Sequence, residues 1–274
     1  MNGHLAQGQS PVSVVIPCYR CTGTIDRALE SIVAQTLLPA EVIVVDDGSG
    51  DGTLDHLRAL SAKHGLDWIQ VIALRENQGA ASARNAGWEL ATQRYVAFLD
   101  ADDAWHPQKI EMQYGVMSMR PEVAMSGHGH ETLRSSGVPR SDVPEPTVSM
   151  VSKFSMLVSN RFITPSVMLK RDLPYRFLPG RRHIDDHLLW LQILCGGYAA
   201  VLISAKLAFT FKPLYGQSGL SAELWKMEQA ELENYRILRR EGCIGVIAAL
   251  GLQMYSLVKF IRRVLLVGIG RLTR

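Results

Sequence analysis

Over the first hundred positions, short apolar runs alternate with apolar residues spaced three and four apart. Val12–Ile16, Val42–Val45, Val71–Leu74 and Tyr95–Leu99 are runs of strand length, each followed closely by polar or turn-forming residues. Such runs suit strands buried on both faces of a sheet. Between the first two, Ile25, Leu29, Ile32 and Val33 recur at helical spacing, and Thr22 or Thr24 is placed to cap the start. Leu54, Leu57 and Leu60 mark a second helix. The Ala-rich stretch Gly79–Ala91 marks a third that packs closely. This alternation predicts β-α-β units and an α/β fold, with a mostly parallel central sheet flanked by helices. In such sheets ligands bind beyond the carboxyl ends of the strands. Pro17–Arg20, Asp46–Ser49 and Asp100–Asp103 all follow strand ends, so they are expected to converge on one crevice.

After Trp105 the pattern loosens. Ile110–Met119 and Ile184–Leu194 read as helices, the latter opened by Asp185-Asp186, and Thr164–Leu169 and Ala199–Ile203 read as strands. Ser135–Pro146 is rich in Ser and Pro and reads as a surface loop or flap. Ala222–Arg240 is a charged amphipathic helix. Residues 1–10 are expected to be disordered, residues 11–221 to form one α/β domain, and residues 222–274 a helical C-terminal segment.

Charge adds information about that segment. The chain of 274 residues carries a net charge of +3, but residues 242–274 hold five basic residues (Lys259, Arg262, Arg263, Arg271, Arg274) and no acidic one. Ile244, Ile247, Leu250, Met254, Leu257 and Ile261 fall on one helical stripe, and the uncharged stretch Cys243–Val258 is 16 residues long. A bilayer-spanning helix needs ~20 apolar residues. An amphipathic helix lying in the interface of an anionic membrane fits better. A helix of the body's core and a dimer contact are the other readings. The body has no Lys/Arg stripe interleaved with aromatics, so nucleic acid is not an expected partner. The N-terminus lacks the apolar core of a secretory signal. The protein is therefore expected in the cytoplasm, peripheral on the cytoplasmic face of the membrane, with reduced thiols. Cys18-x-x-Cys21 lacks the second pair that a zinc site needs. Cys195 and Cys243 stand isolated in sequence.

Three clusters carry candidate chemistry. In Asp100-Ala101-Asp102-Asp103, an extended backbone puts Asp100 and Asp102 on one face. Two carboxylates are hard oxygen ligands suited to Mg²⁺ or Mn²⁺, with positions left for substrate phosphates; a solvated acidic turn is the plainer reading. Asp46-Asp47-Gly48-Ser49-Gly50-Asp51-Gly52 fails as a dinucleotide fingerprint, because its third Gly comes one residue early. It also fails as an EF-hand, whose last ligand would be Arg58, and the chain has no P-loop. It remains a strand-end carboxylate pair able to bond a base or ribose. Arg181-Arg182-His183-Ile184-Asp185-Asp186-His187 reads as a metal cluster (His183, Asp185, His187), as a general base beside positive charge, or as a capped helix start.

Together these segments resemble the family 2 glycosyltransferases, which have the nucleotide-diphospho-sugar transferase (GT-A) fold, Rossmann-like in its sheet. The matching residues run in order from residue 12 (VSVVIPCY) through Val44–Ser49, Asp51–Thr53, Asn77–Gly79, Ala83–Gly87 and Phe98–Asp103. The resemblance spans roughly residues 11–220. It implies that Pro17 and Tyr19 contact the nucleotide, Asp47 binds the base, and Arg84 approaches the phosphates. Asp102 would hold a divalent cation, with Asp100 near ribose or metal. Asp185-Asp186 stands where the family has Glu-Asp, with Asp186 as general base. Two departures are Arg20, where the family often has Asn, and Asp185, one methylene short of Glu. Tyr215–Ser221 resembles an acceptor-side loop. The activity implied is inverting transfer of a sugar from a nucleotide-diphospho-sugar donor to a hydroxyl of a glycan or lipid-linked acceptor. The alternatives are a catalytically inactive, membrane-associated nucleotide-sugar-binding module and a sugar-nucleotide pyrophosphorylase. The loop Cys18–Cys21 lacks the Gly-rich, basic character the latter needs.

Overall fold

The structure is a computed structural model that describes residues 8–65, 68–133, 137–139, 143–181, 183–211 and 223–272. Its N-terminal half follows the alternation of the sequence. Strand β1 (Gln9–Cys18) leads to helix α1 (Ile25–Val33), then β2 (Leu38–Asp46), α2 (Thr53–His64), β3 (Ile69–Ala73), α3 (Ala80–Leu90) and β4 (Tyr95–Phe98). These four strands are parallel, in the order β3-β2-β1-β4. Their apolar runs are fully buried because helices cover both faces: Val14 and Val44 pack toward α1, and Val15 packs with the α3 residues Ala81 and Trp88. Gln9 and Ser10 pair with Leu38 and Pro39. The ordered strand therefore begins inside the segment expected to be disordered.

The second half extends the sheet with mixed polarity. Strands β5 (Ala104–Trp105), β6 (Val123–Thr132), β7 (Val148–Met150), β8 (Met168–Lys170) and β9 (Ala199–Thr210) complete nine strands among the described residues. β8 is antiparallel to β4 and β6, β6 is parallel to β9, and β5 and β7 run antiparallel to β9. Helix α4 (Lys109–Met119) packs across both halves, on β1 and β2 as well as β6 and β9, and α5 (Lys153–Val158) meets α6 (Asp185–Cys195). Thr164–Ser166, expected as the start of a strand, forms a 3-10 turn before β8.

Strand β6 carried no strand signal. Its sequence VAMSGHGHET lacks both an apolar run and alternation. The reason is packing. A Cβ at Gly127 would lie 2.2 Å from the Phe162 ring, so only a bare backbone fits beneath that aromatic.

Two helices close the chain, α7 (Leu224–Arg240) and α8 (Val246–Leu272). The boundary at residue 222 does not separate a tail from a body. Tyr235 and Leu238 of α7 are buried in the same cluster as Phe177 and Trp190, and the Tyr235 hydroxyl donates to the Leu157 carbonyl at 3.1 Å. The cysteines also depart from expectation. Cys18 pairs with Cys21, and Cys195 at the end of α6 pairs with Cys243 in the turn after α7, as disulfides. A separation of 48 residues hid the second pair.

Candidate active site

The three strand-end clusters do converge. Pro17, Tyr19, Arg20, Asp47, Arg84, Asp100 and Asp102 line one cleft of about 360 Å³. A second cavity of about 400 Å³ shares Tyr19, Asp47 and Arg84, and adds Asn77, Arg181 and Asp185. Thus all but one of the expected site residues line one continuous depression. The exception, Asp186, follows Asp185 in the first turn of α6 and is partly buried.

Local chemistry shapes its walls. The Asp47 carboxylate accepts from the backbone N–H groups of Gln78 and Gly79, each at 2.8 Å, and so ties the end of β2 to the start of α3. The Asp46 carboxylate and the Ser49 hydroxyl are hydrogen-bonded, and Ser49 Oγ accepts from the Arg20 N–H at 2.9 Å. Arg20 sits at φ 49°, in the left-handed region. At Gly48 (φ 63°) a Cβ would stand 2.5 Å from the Glu76 carbonyl carbon, so glycine is required where these loops cross.

The Asp100–Asp103 stretch is a turn, not the extended segment expected. The Asp103 N–H donates to the Asp100 carbonyl at 3.0 Å. Asp100 and Asp102 nonetheless both line the cleft, while Asp103 is buried. Arg27 of α1 holds the turn by donating to the Asp102 carbonyl, with its guanidinium 3.6 Å above the Phe211 ring centroid.

The central ion pairs join the two halves of the molecule. Arg84, buried on α3, reaches Asp100 at 2.7 Å and Asp185 at 3.5 Å. Burial alone would lower the Arg84 pKa; the charges of Asp100 and Asp185 outweigh it and hold the pKa above its ordinary value. Asp186 makes no ion pair among the described residues. Burial, then the Asp185 charge beside it, push its pKa up to about 7. Against that work the His187 N–H, 2.7 Å from Oδ1, and Thr164 Oγ1, 3.3 Å from Oδ2. Ile184, at φ 52°, turns the chain into α6 just before these two aspartates. A β-branched residue there is strained. Asn234 of α7 pins it by donating to the Ile184 carbonyl at 3.0 Å.

The metal-cluster reading of His183, Asp185 and His187 fails. His183 pairs with Glu223 at 3.0 Å, and buried His187 bonds the Met156 carbonyl at 2.8 Å. Among the described residues no group of three or more His, Cys, Asp or Glu could hold a metal. The pair Asp100 and Asp102 is a different donor set. Two hard oxygen donors facing a cleft suit Mg²⁺ or Mn²⁺, ions that keep open positions for water and phosphate. The charge count agrees. Four carboxylates (Asp47, Asp100, Asp102, Asp185) face three arginines (Arg20, Arg84, Arg181) among the described lining residues. That net negative wall does not by itself attract a diphosphate.

Thr164, Asn234 and Arg27 were not expected in the site. They reach it from 22, 50 and 75 residues away along the chain from their partners, and no local pattern marks them. Arg182 and Tyr215–Ser221, singled out in the sequence, lie outside the described residues.

The profile of the glycosyl transferase family 2 matches residues 13–163, more than half of the chain and most of the cleft. The chain belongs to glycosyl transferase family 2. This glycosyltransferase is 32% identical over 231 residues to TuaG of Bacillus subtilis (strain 168), whose assignment to teichuronic acid biosynthesis is itself provisional; the match covers 84% of this chain and 88% of TuaG. It is 30% identical over 184 residues to the Escherichia coli UDP-Glc:α-D-GlcNAc-diphosphoundecaprenol β-1,3-glucosyltransferase WfgD, covering 67% and 69% of the two chains. Its fold is that of S. aureus TarS 1-349, solved with UDP-GlcNAc: TM-score 0.69, 18% identity, 90% and 71% of the chains covered. The mannosyltransferase PcManGT of Pyrobaculum calidifontis, solved with GDP-Man and Mn²⁺, superposes with TM-score 0.64 at 20% identity, over 92% and 74%. The GT-A expectation therefore holds.

Proposed function

We propose that this enzyme transfers a sugar, with inversion, from a nucleoside-diphospho-sugar to a hydroxyl of a lipid-linked or growing glycan acceptor. The observation that carries the proposal is Asp186, raised to about 7 next to the Arg84-bridged pair Asp100 and Asp185. A carboxylate with a pKa near working pH is suited to accept a hydroxyl proton as the oxygen attacks. In one displacement the bond from the anomeric carbon to the acceptor oxygen forms and the bond to the diphosphate oxygen breaks. The acceptor proton passes to Asp186. Asp185, paired with Arg84, stays beside the base and tunes it. Pro17, Tyr19 and Asp47 form the nucleotide wall, and Arg84 and Arg181 face the phosphates.

A divalent cation held by Asp102 and Asp100 would supply the positive charge that the cleft lacks against the leaving diphosphate. The UDP-Glc in the name of the relative WfgD makes a uridine diphosphate sugar the first candidate, and the GDP-Man bound to PcManGT keeps a guanosine donor in the test.

The test is thermal stabilisation by UDP, GDP, CDP and dTDP, each with and without Mn²⁺, followed by transfer assays. A ligand at about 100 times its Kd adds roughly 2.7 kcal/mol. Metal-dependent stabilisation by one nucleotide, lost in Asp102→Ala, is expected. Asp186→Asn is expected to keep that stabilisation and lose transfer. Full transfer by Asp186→Asn would eliminate Asp186 as the base.

A further inference from the structure

Helix α8 carries apolar residues on two sides. On the side turned to the body, Ala249 is buried in the core cluster, Leu252 packs against it and the Phe260 ring lies 5.5 Å from that of Trp225, and polar groups sit among them. Ser256 is buried, Lys259 pairs with Glu231 at 3.0 Å and donates to the Val158 carbonyl at 3.2 Å, and Arg263 lies by Glu228. The side turned away is apolar: Ile247 is 87% exposed, Leu250 58%, Met254 64%, Val258 62% and Ile261 58%. At 3.6 residues per turn these five stack in one row, about 21 Å long at 1.5 Å per residue. The stripe differs from the one read in the sequence. Ile244 precedes the helix and is buried, Leu257 is half-buried, and Val258 takes its place. The Lys259–Glu231 ion pair and the buried Ala249 fix the roll of the helix, so the apolar row cannot turn inward without stranding Glu231.

Beside the start of this row lies a pocket of about 190 Å³, lined by Arg236, Arg239 and Arg240 of α7 and by Val246, Ala249 and Leu250 of α8. Glu233 pairs with Arg236 at 3.1 Å and with Arg240 at 3.7 Å, and Arg239 makes no ion pair among the described residues. The pocket is therefore net positive. Exposed Arg262 flanks the far end of the row.

We propose that the apolar row of α8 and its arginine pocket together dock on an anionic lipid bilayer, the row entering the interface and the pocket taking a lipid phosphate. Charge complementarity selects this occupant. A second copy of the chain, docked about a two-fold axis, would bring the same positive rim against itself, whereas anionic headgroups neutralise it. No helix among the described residues is long and apolar enough to cross a membrane, so α8 lies on the surface. None of this depends on what the cleft binds.

The experiment is co-sedimentation of the full chain with vesicles of phosphatidylcholine alone, or with about one third phosphatidylglycerol. Binding is expected on the anionic vesicles, about tenfold or more weaker on the neutral ones, and weakened by salt. The triple variant Leu250→Ser, Met254→Ser, Val258→Ser is expected to lose binding to both. Arg236→Gln with Arg239→Gln and Arg240→Gln is expected to lose only the anionic preference. These side chains face solvent, so both variants should melt like the wild type. Equal binding to neutral vesicles, or none to either, overturns the proposal, even if nucleotide still stabilises the protein. So does a wild-type dimer that Met254→Ser dissociates.

Discussion

Two clusters in this protein pack carboxylates against a few cations, and they differ in count. At the cleft, among the described residues, Asp100, Asp185 and Asp186 face Arg84 and Arg181, three against two. Between α7 and α8, Glu228 and Glu231 face Lys259 and Arg263, two against two. In the second cluster burial works against the Glu231 carboxylate, yet Lys259 at 3.0 Å holds its pKa below the ordinary value. Glu228 is raised, chiefly by burial. In the first cluster burial, joined by the charge of neighbouring Asp185, pushes the Asp186 carboxyl up to about 7. A matched cluster orients helices. The unmatched one leaves a buried carboxyl raised to about 7, the group proposed as the general base.

The sharpest way to break this comparison is to remove the surplus acid. Asp186→Asn is expected to lower kcat about a thousandfold, in the range of lost general-base catalysis; steady-state transfer assays beside nucleotide-binding melts would show it. Removing the shared cation should cost the fold as well. Arg84→Met leaves Asp100 and Asp185 without their partner and is expected to destabilise by about 3 kcal/mol, read from urea midpoints, with transfer lost in parallel. In the matched cluster Lys259→Met is expected to cost about 2 kcal/mol, because Glu231 is left partly buried and unpaired, while the folded enzyme keeps its pH profile.

The pH dependence separates the clusters further. As the proposed base, Asp186 would work only when ionised, so transfer should rise with pH through about 7. For stability the sign is opposite. A carboxyl raised from 3.8 to about 7 on folding binds more protons in the native state, so its contribution falls as pH climbs through that interval. Asp186→Asn should therefore gain stability relative to wild type at pH 8 but not at pH 4, by ~1 kcal/mol once solvent screening is allowed for. The smallest effect belongs to Leu250→Ser, exposed on α8, expected within about 0.5 kcal/mol of wild type. Tyr235→Ala on neighbouring α7 should cost about 3 kcal/mol or more.

The legible parts of the chain were those with local causes. Strands β1 to β4 announce themselves because a strand buried on both faces must be apolar along its length. The cleft was legible because a parallel sheet brings every loop after a strand to one edge. Strand β6 was hidden because its glycine admits an aromatic from another element. The Asp100–Asp103 turn ended with both carboxylates in the cleft, but by a different backbone from the one expected. The disulfide from Cys195 to Cys243, the Thr164 contact to Asp186 and the Asn234 brace on Ile184 all join distant positions, and no periodicity encodes them.

Residue order alone settled the alternation of strands and helices, the polar loops at the strand ends, and the existence of an apolar stripe near the C-terminus. Those follow from short-range sterics and from the 2.0 and 3.6 residue periods. Packing settled the rest: which carboxylate goes unpaired, which histidine is merely structural, and which way the stripe on α8 faces. Periodicity defines a face of a helix but not its direction. Buried charges need partners, and here Lys259 finds Glu231 on α7, which leaves the row from Ile247 to Ile261 facing outward.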